Sequence, residues 1–340
     1  MPDFLPYRNA FADKADVETE ELFVGSDHTP PRLSIMIPTF QRHDLLIDAL
    51  RSALAQNAAI PIEMVVLDDD PQSSEIESLL ADVPELARAN FRYLRNRQNL
   101  GYYQNHSRCI EVARGAWLTI LHDDDMLDPG FAREMLAQFD RDPRIKGLTC
   151  RKRTLDCRAV PYTESWIRGI PRQLMELLQF GFKNTRVIGG RKLFWSCMLG
   201  NMAGFMCRTA DARRIGGFYP EEYPSADYYF YARFAHRLTL GEMRKTLMTF
   251  RVFVNAAIKK ETNVAALRKN FELQSACVGT VVPKSWGRII PLLMARQVKT
   301  TGRYWGNDVT NEEIGADLGV KLPRDRPYLL YTLRTLLGGL

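Results

Sequence analysis

Over its first 140 residues the chain alternates short apolar runs with amphipathic stretches. Residues 33–37 form an apolar run, residues 43–56 place Leu46, Leu50 and Leu54 on one helical face, and residues 62–67 are apolar again. The same rhythm predicts a helix over 74–80, a strand over 91–94, a helix over 102–113, a strand over 117–121 and a helix over 130–139. Strands without polar alternation are buried on both faces, so the pattern predicts an α/β fold with a parallel sheet wrapped by helices. Residues 1–30 are acidic and mixed, end at Pro30 and Pro31, and read as an arm ahead of the sheet. Residues 31–150 form the regular half. Over 151–260 the pattern loosens into segments rich in Arg, Lys and Tyr until helical character returns at 227–236. Residues 261–340 read as a C-terminal helical extension. No repeat, low-complexity tract or linker divides the chain, so one compact unit is expected.

Composition changes this picture little. With 46% hydrophobic and 25% charged residues among 340, disordered and fibrous classes are excluded. A formal charge of +6 favours anionic substrates or an anionic membrane surface; with no nucleic-acid-binding motif in the chain, no nucleic acid partner is expected. The six cysteines (Cys109, Cys150, Cys157, Cys197, Cys207 and Cys277) form no CxxC pair, which fits a reducing compartment. The N-terminus lacks a basic-then-apolar leader and no run of about 18 apolar residues is present, so a cytoplasmic protein is expected. Residues 326–340 place Leu329, Leu330, Leu333, Leu336 and Leu337 near helical spacing beside Arg326 and Arg334. Such a helix suits peripheral contact with the inner face of the plasma membrane, or packing on the chain's own domain. Oligomeric state is not legible.

Asp123, Asp124 and Asp125 directly follow the apolar run 117–121. Neighbouring carboxylates about 4 Å apart repel by about 4 kcal/mol at an effective dielectric near 20, so the cluster calls for a cation. Mn²⁺ or Mg²⁺ is the natural partner, because these ions accept carboxylates while keeping positions for substrate phosphates. A solvated acidic turn is the alternative. The first strand ends in Pro38, Thr39, Phe40, Gln41 and Arg42, the second in Asp68, Asp69, Asp70 and Pro71. Ligands bind at such strand ends in open α/β sheets. A carboxylate there accepts a nucleobase N–H, Phe40 offers an apolar face, and Pro38 stiffens the turn.

The order IPTFQR, then Asp68-Asp69, then LHDDDML resembles the family-2 glycosyltransferases of the GT-A fold, a Rossmann-like, mostly parallel sheet flanked by helices. The stretch NLGYYQNHSRCIEVARGAWL is similar to the family's Asn-x-Gly helix entry and to the Ala-x-Gly before its metal strand, here Asn99, Gly101, Ala113 and Gly115. Gly216-Gly217-Phe218 followed by YPSADYYFYARF resembles its Gly-Gly-Phe and Glu-Asp motif; Asp227 and Arg233 match, and Ala226 replaces the Glu. Where the family has the first Asp of Asp-x-Asp, this chain has His122. Its helix Arg finds nearest equivalents in His106 and Arg108.

The resemblance implies a nucleotide-sugar donor, UDP-linked by preference, held in the 31–150 half by Pro38, Thr39, Phe40, Arg42, Asp68, Asp69, Asn99, Gly101, His106, Arg108 and Asp123. It implies Mn²⁺ or Mg²⁺ on Asp124 and Asp125, and an acceptor hydroxyl of a glycan or lipid-linked glycan in the 151–260 half, activated by Asp227 for displacement with inversion. By itself, Asp227 also suits the N-cap of the following helix. Surface polysaccharide assembly is the implied setting. Arg151, Lys152, Arg153, Arg158, Arg168 and Arg172 read as attraction for an anionic acceptor, or as a solvated basic face. Two other readings compete with transfer: a degenerate nucleotide-sugar-binding module, suggested by His122 and Ala226, and a sugar nucleotidyltransferase, which usually carries a Gly-rich phosphate loop absent from 35–42.

Overall fold

In the computed structural model, which describes residue 5 and residues 7–158, 183–195, 199–253 and 259–326, the apolar runs become the centre of one sheet. In chain order the strands are β1 (Thr19–Val24), β2 (Leu33–Thr39), β3 (Ile62–Asp68), β4 (Phe91–Asn96), β5 (Trp117–Ile120), β6 (Met126–Leu127), β7 (Gly147–Asp156), β8 (Thr185–Ile188), β9 (Phe205–Arg208) and β10 (Leu240–Val252). They lie in the order β1-β4-β3-β2-β5-β9-β7-β10-β6, with β8 also against β10. The run β4-β3-β2-β5 is parallel throughout, as expected of strands buried on both faces. Beyond β5 the sheet is mixed: β9 runs antiparallel to both β5 and β7, and β10 runs parallel to β7.

Helices α1 (His43–Leu54), α2 (Glu75–Asp82), α3 (Tyr102–Val112) and α4 (Phe131–Arg141) follow the expected rhythm within a residue or two. Residue parity along β2 divides the core. Leu33, Ile35 and Ile37 join Leu46, Leu50 and Phe131 on one face; Met36 joins Val65, Leu118 and Ile110 on the other. Further helices are α5 (Gly190–Trp195), α6 (Thr209–Ile215), α7 (Ala226–Arg237), α8 (Lys260–Cys277), α9 (Ile290–Trp305) and α10 (Asn311–Leu318). The last three are helical as expected and share a separate cluster with α5, built from Phe194, Trp195, Leu267, Trp286 and Met294. Residues 327–340, Cys197, Arg168 and Arg172 lie outside the described residues. No described helix is long and apolar enough to cross a membrane.

Residues 1–30, expected as an arm, instead supply the edge strand β1. It pairs antiparallel with β4, where Glu20 meets Arg95 at 2.5 Å and Glu21 meets Arg92 at 2.6 Å. Acidic residues in the segment, which look unstructured in isolation, here face cross-strand cations. Upstream of β1 the chain clasps the Gly216-Gly217 turn: the Ala10 amide donates to the Gly216 carbonyl at 3.0 Å, and the Arg8 amide donates to the Tyr219 hydroxyl at 2.9 Å. Gly216 has φ of 93°, and a Cβ there would sit 2.2 Å from the Arg8 carbonyl oxygen. Gly216→Ala combines a left-handed backbone with a backbone clash, so a loss of about 2–4 kcal/mol is expected. A urea midpoint within error of the unmodified chain would refute it.

Candidate active site

Three parallel strands deliver their polar ends to one place. At the end of β2 the Thr39 hydroxyl donates to Asp123 at 2.9 Å, and past the turn one Arg42 nitrogen reaches Asp123 at 3.3 Å and Asp124 at 2.8 Å. Asp123, Asp124 and Asp125 are all buried in the turn after β5. Burial pushes the Asp123 carboxyl up to about 6 against the opposing pull of Arg42. Burial, reinforced by the charge of Asp125, also raises Asp124. Asp125 accepts the Arg251 amide at 2.9 Å, while its Oδ2 is buried without a hydrogen bond, 3.5 Å from His122 Nδ1.

The chemistry of this turn fits a divalent cation. His122, Asp124 and Asp125 each present one ligand atom, all within 4.8 Å of one another. One imidazole and two carboxylates suit Mn²⁺ better than Mg²⁺, which favours oxygen alone. His122, the departure from the family's acidic first position, thus lies inside the candidate ligand group.

Near enough to His122 for each charge to act on the other stands Asp227, in the first turn of α7. The N-cap is Ser225, so Asp227 is not the cap. Its Oδ1 is shielded from water and has no hydrogen-bond partner. Burial raises its carboxyl to about 6, outweighing the nearby His122 and Lys152. Lys152 donates to the Asn201 carbonyl at 2.6 Å, and the Asn201 amide lies 3.3 Å from His122 Nδ1. For His122 itself, burial favours the neutral ring, but the close contact with Asp125 and the charges of Asp125, Asp124 and Asp227 prevail and raise its pKa.

Residues 34–196 match the model of glycosyl transferase family 2. The chain carries a family 2 glycosyltransferase domain. It is 28% identical over 251 residues to the uncharacterized protein MT1568 of Mycobacterium tuberculosis, spanning 73% of this chain and 74% of that one. It is 28% identical over 110 residues to the succinoglycan biosynthesis protein ExoO of Rhizobium meliloti, and 29% over 100 residues to a GalNAc(5)-diNAcBac-PP-undecaprenol beta-1,3-glucosyltransferase of Campylobacter jejuni. Those two matches cover 32% and 29% of this chain, and 30% and 32% of the respective relatives. Relatives of the glycosyltransferase domain therefore serve polysaccharide biosynthesis. The fold is that of S. aureus TarS in complex with UDP-GlcNAc (TM-score 0.56, 14% identity, 86% of this chain and 76% of that one). It is also that of the mannosyltransferase PcManGT of Pyrobaculum calidifontis with GDP-Man and Mn²⁺ (TM-score 0.53, 14% identity, 93% and 87%). The architecture is thus the GT-A fold expected from the motifs.

The remaining expected residues of the glycosyltransferase domain fall into three groups. Pro38 lies within buried β2, and Phe40 stands exposed just beyond it. Asp68 accepts the Tyr93 hydroxyl at 2.5 Å and the Asp70 amide at 2.9 Å; Asp69 accepts the amides of Leu100 and Gly101 at 2.8 and 2.9 Å. Asn99 donates to the Asp69 carbonyl at 3.1 Å, so Asp69, Asn99 and Gly101, at φ of 81°, make one turn that starts α3. His106 lies beside His122, with ring centroids 5.4 Å apart, and burial and its His neighbour bring it down to about 3, a neutral ring.

Arg108 is the correction. Two residues beyond His106, it is turned about 200° around the helix, and its guanidinium holds the N-terminal segment through the carbonyls of Lys14 and Val17 at 2.7 and 2.9 Å. Of the expected basic region, Arg153 is exposed and meets Asp128 at 2.9 Å, and Arg158 meets Asp156 at 2.5 Å. Sequence reasoning missed Arg251, whose guanidinium donates to the Asp124 carbonyl, to Asp48 at 2.7 Å and to the Leu45 carbonyl at 3.1 Å, fixing the acidic turn to α1. It also missed Asn201. No local motif marks either residue.

Proposed function

We propose that the chain transfers a sugar from a nucleoside-diphosphate donor, UDP-linked by preference, to a hydroxyl of a glycan or lipid-linked glycan, with inversion. What supports this reading is a buried His122, Asp124 and Asp125 group with an unpartnered Asp227 oxygen within electrostatic reach of the same imidazole, in the turn that follows a parallel strand. The nucleotide lies toward Phe40 and the ends of β2 and β3, and Arg42 shares its charge with the diphosphate. A divalent cation, Mn²⁺ before Mg²⁺, on Asp124 and Asp125 with His122 beside them, supplies neutralisation of the charge that grows on the departing diphosphate. Asp227 removes the acceptor hydroxyl proton as that oxygen attacks the anomeric carbon and the bond to the diphosphate breaks. The name of the Campylobacter relative supports a polyprenyl-diphosphate-linked acceptor, and with it action at the cytoplasmic face of a membrane.

Thermal midpoints with UDP, GDP, dTDP and CDP, each with and without Mn²⁺, test the donor half of this reading. A ligand at a hundred times its Kd adds about 2.7 kcal/mol of stability. One nucleotide should raise the midpoint only with Mn²⁺ present. Four flat responses would favour a module that no longer binds donors.

A further inference from the structure

Exposed aromatic rings are few among the described residues, and two of them stand on the same buried ring beside Asp227. Tyr102 is 52% exposed and Tyr223 is 48% exposed. Tyr102 packs edge-on to Tyr103 at 4.9 Å and 79°, and Tyr223 packs edge-on to Tyr103 at 6.0 Å and 66°. Tyr103 is itself fixed: its hydroxyl donates to the Pro224 carbonyl at 2.9 Å, and its ring stacks at 5.9 Å on Phe218, which stacks at 4.8 Å on Phe230. Two rings are thereby held in water on a rigid aromatic base, and one of them, Tyr223, precedes Asp227 by four residues. The Tyr102 ring is backed by His106, with centroids 4.3 Å apart, and its hydroxyl lies 3.4 Å from His122 Nε2.

Resting on the transferase reading above, we propose that Tyr102 and Tyr223 form the platform for the acceptor's terminal pyranose ring, whose apolar C–H face stacks on them and directs one hydroxyl to Asp227. A pyranose has a face of axial C–H groups and a rim of hydroxyls, so it matches exposed π faces bordered by hydrogen-bonding groups. Occupation by the nucleobase is disfavoured by position. Tyr223 belongs to the loop that leads into α7, whereas Phe40, 45% exposed, stands at the end of β2 on the side of Arg42. Pre-placed rings lose little conformational freedom on contact, which suits recognition of a weakly binding sugar.

Saturation-transfer NMR on the full chain, with the methyl glycosides of glucose, galactose, mannose and N-acetylglucosamine as probes, reads this contact without turnover. At least one glycoside should receive saturation at its ring C–H protons. The signal should fall at least fivefold in Tyr102→Leu/Tyr223→Leu and return in Tyr102→Phe/Tyr223→Phe, because Leu keeps apolar bulk and Phe keeps the π face. Nucleotide-induced midpoint shifts should be the same in all three proteins. The platform is overturned by silence from all four glycosides, by a signal that survives in the Leu pair, or by a Leu pair that loses its nucleotide response. Failure of the transferase reading shows separately, as an unmodified chain whose midpoint responds to no nucleotide while the glycoside signals still decide the platform.

Discussion

Asp227→Asn should lower kcat by about 10²–10⁴ while nucleotide binding persists, the range expected when a positioned general base is removed. The amide occupies the same volume in the first turn of α7 but cannot accept the acceptor's proton. The effect should fall on kcat more than on KM for the donor, since Asp227 lies outside the His122, Asp124 and Asp125 group proposed to hold the donor's cation. A pH profile separates this role from a structural one. With its carboxyl raised to about 6 by burial, Asp227 is unprotonated and active above that value; kcat/KM should drop tenfold per pH unit below it and level off above. The linked stability runs the other way. Because the folded carboxyl holds its proton more tightly than an unfolded one, its contribution is present at low pH and is lost as pH rises through about 6, so the Asn variant should be the more stable protein above that point. An unchanged kcat in Asp227→Asn, or a variant profile that keeps the limb near 6, would assign the base elsewhere.

Asp124→Ala should cost about 10²–10³ in kcat and abolish the Mn²⁺ dependence of the nucleotide-induced midpoint shift, a loss typical of removing charge stabilisation from a departing group. Asp124 is the member of the acidic turn that meets Arg42 at 2.8 Å and also belongs to the His122 and Asp125 group, so its removal disturbs both counter-charges. Asp123→Asn should be milder. Its carboxylate accepts Thr39 at 2.9 Å and lies outside the three-residue group, a position that supports the turn. Equal Mn²⁺ dependence in Asp124→Ala and the unmodified chain, measured by thermal midpoint, would move the cation away from this residue.

The parallel half of the fold was legible because β2, β3 and β5 are apolar at most positions on both faces, with only isolated polar residues such as Ser34, Glu63 and Thr119, a pattern that burial on both faces produces. The mixed half was not. Strand β10 carries Glu242, Arg244 and Lys245 within its span, so its hydropathy reads as loop, although it is paired along most of its thirteen residues. β1 escaped for a similar reason: the partners of Glu20 and Glu21 lie some seventy residues away. At the site, residues that follow a strand end directly could be placed from sequence, since the strand fixes where its last residue emerges. Side chains on a helix could not be ranked the same way. His106 and Arg108 satisfy one motif position equally well, and only the helical rotation between them puts one beside His122 and the other on the N-terminal segment. Arg251 lies 126 residues from Asp125, and no spacing rule spans that interval.

Strand β9 is a four-residue element wedged antiparallel between β5, which leads to the acidic turn, and β7, which carries Lys152. The two halves of the chain are therefore interleaved at their seam, and neither has a finished edge without the other. A gene cut at residue 150 would release a first half whose β5 offers an open row of amides and carbonyls, the kind of surface that recruits stray strands from other molecules. For recombination this makes the second half a poor cassette. If residues 216–225 shape the acceptor site as proposed, new preferences are to be sought by changing that segment in place, with the strand that locks the seam left untouched.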